Sequence, residues 1–174
     1  MFKRSLAKSE AGLEAMKLSN NCSFMNTAAT EDDLDEISRS ECCRRFDWFK
    51  IDYSEEPLCR SRETEEEVYR FSWRSSFDGD ACVRIARDGK SIRSHWRKFG
   101  GSAAIAPLSV ADWDRLKTAI TVAGFWSIEP ESEAVDGFDG AQWLIEGRSG
   151  DIYHAVHLWS PGGAIQELGR LFFS

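Results

Sequence analysis

Val68-Tyr69-Arg70-Phe71-Ser72-Trp73-Arg74-Ser75-Ser76-Phe77 decides the fold class. Tyr69, Phe71, Trp73, Ser75 and Phe77 alternate with Arg70, Ser72, Arg74 and Ser76. Successive side chains of a strand point to opposite faces, so this period of two predicts a half-buried β-strand. Asp78-Gly79-Asp80 is a turn signal, and residues 82–87 read as a returning strand with Val83 and Ile85 inward. Setting Trp73 and Ser75 against Ile85 and Val83 calls for an odd-length loop, which predicts a three-residue turn at 78–80. Asp88-Gly89 marks a second hairpin into residues 91–99, with Ile92, Ser94 and Trp96 opposed to Arg93, His95 and Arg97. Residues 100–104 read as a loop.

Further along, Ser109 opens a helix with a capping-box-like Ser-x-x-Asp ending at Asp112. Val110, Trp113, Leu116, Ile120 and either Val122 or Ala123 form its apolar face at spacings of three and four. Gly124 is placed to be its left-handed C-terminal cap, and Phe125-Trp126 starts the next segment. An acidic loop over 129–140 leads to a third hairpin, 142–147 and 152–159, around Gly147-Arg148-Ser149-Gly150. Pro161-Gly162-Gly163 stops that strand, and residues 164–173 form a short last helix with Ile165, Leu168 and Phe172 on one side. The expectation is an α+β domain over 68–174: an antiparallel sheet of about five strands, one main helix packed on it and a short C-terminal helix.

Residues 1–67 differ in kind. They hold 10 basic and 16 acidic residues, net −6, against net −1 for 68–174. They read as an acidic N-terminal extension, partly ordered. A thin apolar stripe (Leu6, Leu13, Met16) allows a helix over 3–18, residues 19–30 are a polar linker, and 31–39 can form one or two helical turns. Phe46-Asp47-Trp48-Phe49-Lys50-Ile51-Asp52-Tyr53 carries aromatic surface that can dock, Pro57 ends it, and 63–67 is an acidic spacer.

Composition narrows the class of function. Of 174 residues, 42% are hydrophobic and 12% aromatic, with seven Trp and eleven Phe, too rich for a chain disordered throughout. No Gly-X-Y period, sustained heptad or apolar run near 18 residues is present, so collagen, coiled coil and membrane span are set aside. The formal charge of −7 argues against general nucleic-acid binding. Five cysteines (22, 42, 43, 59 and 82) lack CxxC spacing and read as free thiols in a reducing cytoplasm, with no zinc site and no cofactor. Met1-Phe2-Lys3-Arg4 is not followed by an apolar signal region, which makes the expected location cytoplasmic.

The densest group of chemically capable side chains is in the third hairpin. Strand alternation puts Glu146, Tyr153 and His157 on one face and His154 on the other, with Ile152, Val156 and Leu158. A symmetric link places Trp143 opposite His154. Glu146 can serve as acid or base with Tyr153 or His157 bonded to it, the chemistry of a small hydrolase or transferase. The bland alternative is a cross-strand trio satisfying its own hydrogen bonds, with His154 stacked on Trp143. Two histidines three apart in a strand cannot converge on one metal without a bulge, and no nucleophile-elbow or phosphate-loop pattern occurs.

Arg84, Arg87, Lys90, Arg93, Arg97 and Lys98 form a basic stripe with Trp96 and Phe99. It reads either as an RNA-facing sheet through Arg84, Arg93 and Arg97 or as an ordinary solvent face, and no RNP-like motif accompanies it. Trp48, Trp96 and Trp126 have no clear inward place and can be interface anchors.

Three groups of residues carry a resemblance. These are Tyr69-Arg70-Phe71-x-Trp73-x-Ser75-x-Phe77; Phe125-Trp126; and Asp139-Gly140-x-x-Trp143-x-x-Glu146-Gly147 with Gly150, Tyr153-His154 and Trp159-Ser160-Pro161. Over about 105 residues this pattern resembles a widespread family of small bacterial proteins, and the resemblance implies no activity and no residue role. The expected function is a non-catalytic module that binds a protein, in the manner of an immunity protein neutralising a bacterial toxin. Asp32, Asp33, Asp35, Glu36, Trp48 and Trp96 are its candidate contacts, since acidic charge speeds capture of a basic partner.

Overall fold

The first strand predicted from alternation becomes the middle of the sheet, with a neighbour on each side. The computed structural model describes residues 58, 66–77, 79–98, 101, 103–129, 139–150 and 152–174. The strands are β1 (Glu67–Ser75), β2 (Asp80–Asp88), β3 (Ser91–Lys98), β4 (Ala103–Pro107), β5 (Ala141–Ser149) and β6 (Ile152–Trp159). They form one six-stranded sheet in the order β4-β3-β2-β1-β5-β6, antiparallel at every pairing. The helices are α1 (Val110–Val122) between β4 and β5 and α2 (Gly163–Phe172) after β6, with a short 3-10 turn at Phe125–Ser127. This is the expected α+β architecture, with six strands rather than five.

The added strand is β4. Ala103-Ala104-Ile105-Ala106-Pro107 has no apolar–polar alternation, because all five residues are exposed and none is sorted between a wet and a dry face. The period-two signal needs one buried face, so the sequence shows no strand here, and Ala103 and Ala104 read as the end of a loop.

One face of the sheet carries the main core. Tyr69, Phe71, Val83, Ile85, Ile145 and Val156 pack with Trp113, Leu116 and Ile120 of α1, Phe125, and Leu168 and Phe172 of α2. Each fully buried large apolar side chain contributes about 1.5–3 kcal/mol relative to exposure. The Ser109 hydroxyl accepts from the Asp112 N–H and the Asp112 carboxylate accepts from the Ser109 N–H, completing the expected capping box. Gly124 is left-handed at φ 62°, ending α1 so that Phe125 turns into the core. Val110, expected on the buried face, is exposed instead, and of the alternatives Val122 and Ala123 it is Ala123 that packs against the core; α1 presents Trp113, Leu116 and Ile120 squarely to the sheet.

Both longer hairpins keep the expected faces but not the expected register. Trp73 pairs with Ala81 and Phe71 with Val83, and five residues separate the paired Arg74 and Asp80. Phe77 therefore leaves the strand and is 76% exposed. In the third hairpin Ser149 pairs with Ile152, which leaves a two-residue turn; Trp143 opposes Leu158, and His154 opposes Gly147. Each slip is four residues, an even number, so every side chain keeps its side of the sheet.

The opposite face is also buried along its middle. Val68, Arg70, Ser72, Arg84, Leu144, Glu146, Tyr153 and Ala155 are all buried there. Leu58, the one described residue upstream of Glu66, is 2% exposed and bonds to this face. The expectations for 3–18, 19–30, 31–39 and 46–53 lie outside the described residues. Glu67, assigned to the acidic spacer, is instead the first residue of β1.

Candidate functional site

Glu146 lies at the centre of the buried opposite face. β1 and β5 set Arg70 and Glu146 directly across from one another. The Arg70 Nε donates to Glu146 Oε2 at 2.6 Å, and Nη2 makes an ion pair with the same oxygen. Oε1 accepts the Tyr153 hydroxyl at 3.1 Å and the Leu58 backbone N–H at 3.2 Å. Four donors fill the roughly four lone-pair positions of a carboxylate. Glu146 is 1% exposed, so neither water nor a substrate has a place at it.

The partners are held in the states this arrangement needs. Burial opposes the charge of Arg70 most strongly, but the Glu146 carboxylate together with Cys82 and Tyr153 outweighs it, and the guanidinium is held above its ordinary pKa. Burial and then the Glu146 charge push the Tyr153 phenol well above its usual value, so it remains a donor. The expected Glu146–Tyr153 contact is formed. His157 shares the face but stands opposite Leu144, two register positions along from Glu146. The sequence reading missed Arg70 because it took that side of β1 as solvent-facing. The available signal was charge: on one strand parity Glu146 is the acid facing several arginines.

A second polar group stands on the helix-bearing face. Glu67 Oε1 accepts from the Tyr69 hydroxyl and pairs with Lys117 Nζ of α1, which also donates to the Tyr69 hydroxyl at 3.1 Å. Burial, then Glu67, raises the Tyr69 pKa far above its usual range. These contacts clip the start of β1 to α1.

His154 is not stacked on Trp143. It lies on the helix-bearing face, 5.0 Å from the Phe125 ring and 6.2 Å from that of Trp126, centroid to centroid. Backbone groups of Ile128 and Phe125 face it, but neither meets hydrogen-bond geometry, and both ring nitrogens are buried without a partner. Burial holds its pKa below 6.5.

The basic stripe does not form one surface. Arg84, Arg93 and Arg97 share the opposite face, whereas the register carries Arg87 and Lys98 to the helix-bearing side. Arg84 is only 7% exposed, in a row between His95 and Arg70, so the three arginines expected to meet RNA are not equally available. Trp96 and Trp126 are partly buried and pack against the core. Asp32, Asp33, Asp35, Glu36 and Trp48 lie outside the described residues. Cys82 is buried, and its Sγ accepts a hydrogen bond from the Ser72 hydroxyl at 3.6 Å. Among the described residues no group of three or more His, Cys, Asp or Glu could hold a metal ion, and no helix is long and apolar enough to cross a membrane.

Two of the residues behind the resemblance hold structural places. Gly147 lets two rings close over β5, since a Cβ there would meet Phe125 at 2.7 Å and Tyr69 at 3.0 Å. Ser160, at φ 38°, bonds through its N–H to the Ala141 carbonyl at 2.8 Å and through Oγ to the Ala141 N–H at 2.9 Å, squaring off the end of β6. Compared with models of protein families and with curated protein sequences, the chain finds no match.

Proposed function

We propose that this chain is a non-catalytic, protein-binding module, and more finely an immunity protein that captures a bacterial toxin. The observation that carries the reading is β4, an edge strand with all five residues exposed and nothing among the described residues paired to its outer side. An uncovered edge presents unpaired N–H and C=O groups that another chain can complete, and proteins ordinarily blunt such edges. The overall charge of −7 supports the finer reading, because long-range attraction speeds the approach of a basic partner. The acid–base alternative built on Glu146 is weakened by the sealed, fully bonded state of that carboxylate. The RNA alternative is weakened by the burial of Arg84.

The test is capture with the tagged full chain from lysate and secreted fractions of its source cell, followed by co-expression. The expected result is a single stoichiometric partner that is toxic alone and harmless when co-expressed with this chain. Failure to retain any stoichiometric partner would overturn the proposal, and turnover of a small molecule that vanishes in Glu146→Gln would favour the acid–base alternative in its place.

A further inference from the structure

The β3–β4 hairpin is chemically unlike the rest of this acidic protein. From Gly89 to Ala111 the sequence contains no Asp or Glu, while Lys90, Arg93, Arg97 and Lys98 all fall within it. Lys90, Arg93 and Lys98 are exposed. On β4 itself there is no charge, and Ile105 is 67% exposed.

The backbone register fixes what this edge offers. Leu108 N–H donates to the Ile92 carbonyl at 2.9 Å, so the even-numbered residues Ala104 and Ala106 direct their backbone groups toward β3. The odd-numbered Ala103, Ile105 and Pro107 direct theirs outward. Ala103 and Ile105 each present an N–H and a C=O, and Pro107 presents only its C=O because proline has no N–H. Beside Ile105 a cavity of about 70 Å³, lined also by Cys82, His95 and Arg97, opens on the opposite face.

Resting on the protein-binding reading, we propose that β4 is the docking edge and that its occupant is an extended, acidic segment of the partner, added as a seventh strand. Main-chain hydrogen bonds to Ala103 and Ile105 hold it, as in other strand-addition complexes. A small apolar side chain on the occupant takes the cavity beside Ile105; a carboxylate two residues away, on the same face, reaches toward Arg93, and another on the helix-bearing face reaches toward Lys98 at the far end. The chain's charge of −7 repels an acidic protein at long range, so the acidic residues belong to the docking segment and not to the partner as a whole.

The test uses the full chain with two short synthetic peptides, one alternating valine and glutamate and one alternating valine and lysine, titrated at low salt. The acidic peptide is expected to bind at least tenfold tighter than the lysine peptide, with the Ala103 and Ile105 amides gaining protection from exchange. Ile105→Pro removes one outward N–H without touching the β3 ladder, and should weaken the acidic peptide at least tenfold. Arg93→Glu with Lys98→Glu, both exposed, should reverse the preference and serves if Ile105→Pro disturbs folding. Equal binding of the two peptides, no binding of either, or indifference to both variants would overturn the edge. A toxic partner captured equally well by wild type and both variants would remove the edge and leave the protein-binding reading standing; absence of any partner would remove that reading itself.

Discussion

Arg70 and Glu146 face each other across β1 and β5, and the guanidinium directs both Nε and Nη2 to one carboxylate oxygen. The other oxygen is taken by Tyr153 of β6 and the backbone of Leu58. One buried carboxylate thus joins three strands and a residue upstream of the sheet. The β1–β5 pairing it reinforces links segments some 70 residues apart, as the separation of 76 between Arg70 and Glu146 shows. Such contacts form late and against loop-closure entropy.

Removing one member of a buried pair leaves the other charge stranded, which costs about 3–5 kcal/mol. Glu146→Gln keeps the shape and one acceptor but strands Arg70, so a stability loss of that order is expected in urea unfolding. Arg70→Met with Glu146→Leu removes both charges and should recover most of it. A Glu146→Gln protein as stable as wild type would contradict the structural role argued here.

Strand faces were legible in the sequence, whereas strand pairing was not. The odd–even assignment of Tyr69, Phe71 and Trp73 against Arg70 and Ser72 follows from alternation alone, and both four-residue register slips preserved it. Register itself depends on which turn closes each hairpin, and Ser76-Phe77 and Gly150-Asp151 offered turn signals no stronger than their neighbours. β4 was invisible because an exposed edge strand has no buried side. The Glu146–Tyr153 contact was legible because both residues lie in one hairpin. Arg70 was not, because strand order across α1 is a tertiary fact, and the burial of the Arg70 face does not show in local polarity.

Gly169 of α2 rests on Trp143 so closely that a Cβ would collide with the indole ring. Ala is normally favoured over Gly in a helix by roughly 0.5–1 kcal/mol. Here Gly169→Ala should instead destabilise by about 1–3 kcal/mol, the usual cost of overpacking. In a Trp143→Leu background the clash is absent and the ordinary preference should return. The sign change between backgrounds, read from chemical denaturation, is the decisive observation.

Ser109 supports α1 through both halves of its capping box. Ser109→Ala should cost about 1 kcal/mol. Ser109→Asp should retain most of that, because a carboxylate also accepts from the Asp112 N–H, although its charge stands near that of Asp112. Equal melting temperatures for wild type and Ser109→Ala would show that packing of Trp113, Leu116 and Ile120 alone fixes the helix start.

His154 makes stability depend on pH in a direction the structure dictates. Burial lowers its pKa in the folded protein below its ordinary value of about 6.5; the backbone groups of Ile128 and Phe125 and the charge of Glu129 oppose that shift without cancelling it. The unfolded chain therefore binds a proton at this residue at a pH where the folded chain does not, and stability rises with pH across that window. The contribution is complete above the unfolded value, declines as pH falls through it, and levels off below the folded value. One such group gives a slope of at most about 1.4 kcal/mol per pH unit. His154→Phe keeps a ring beside Phe125 and Trp126 but cannot take up the proton. With unfolding free energies measured for both proteins from roughly pH 7.5 to pH 5.5, that of the wild type should fall relative to that of His154→Phe as pH falls, because only the wild type carries the titrating ring. Parallel curves would mean that His154 takes up its proton equally in both states, and that the buried ring is reached by water in the folded protein.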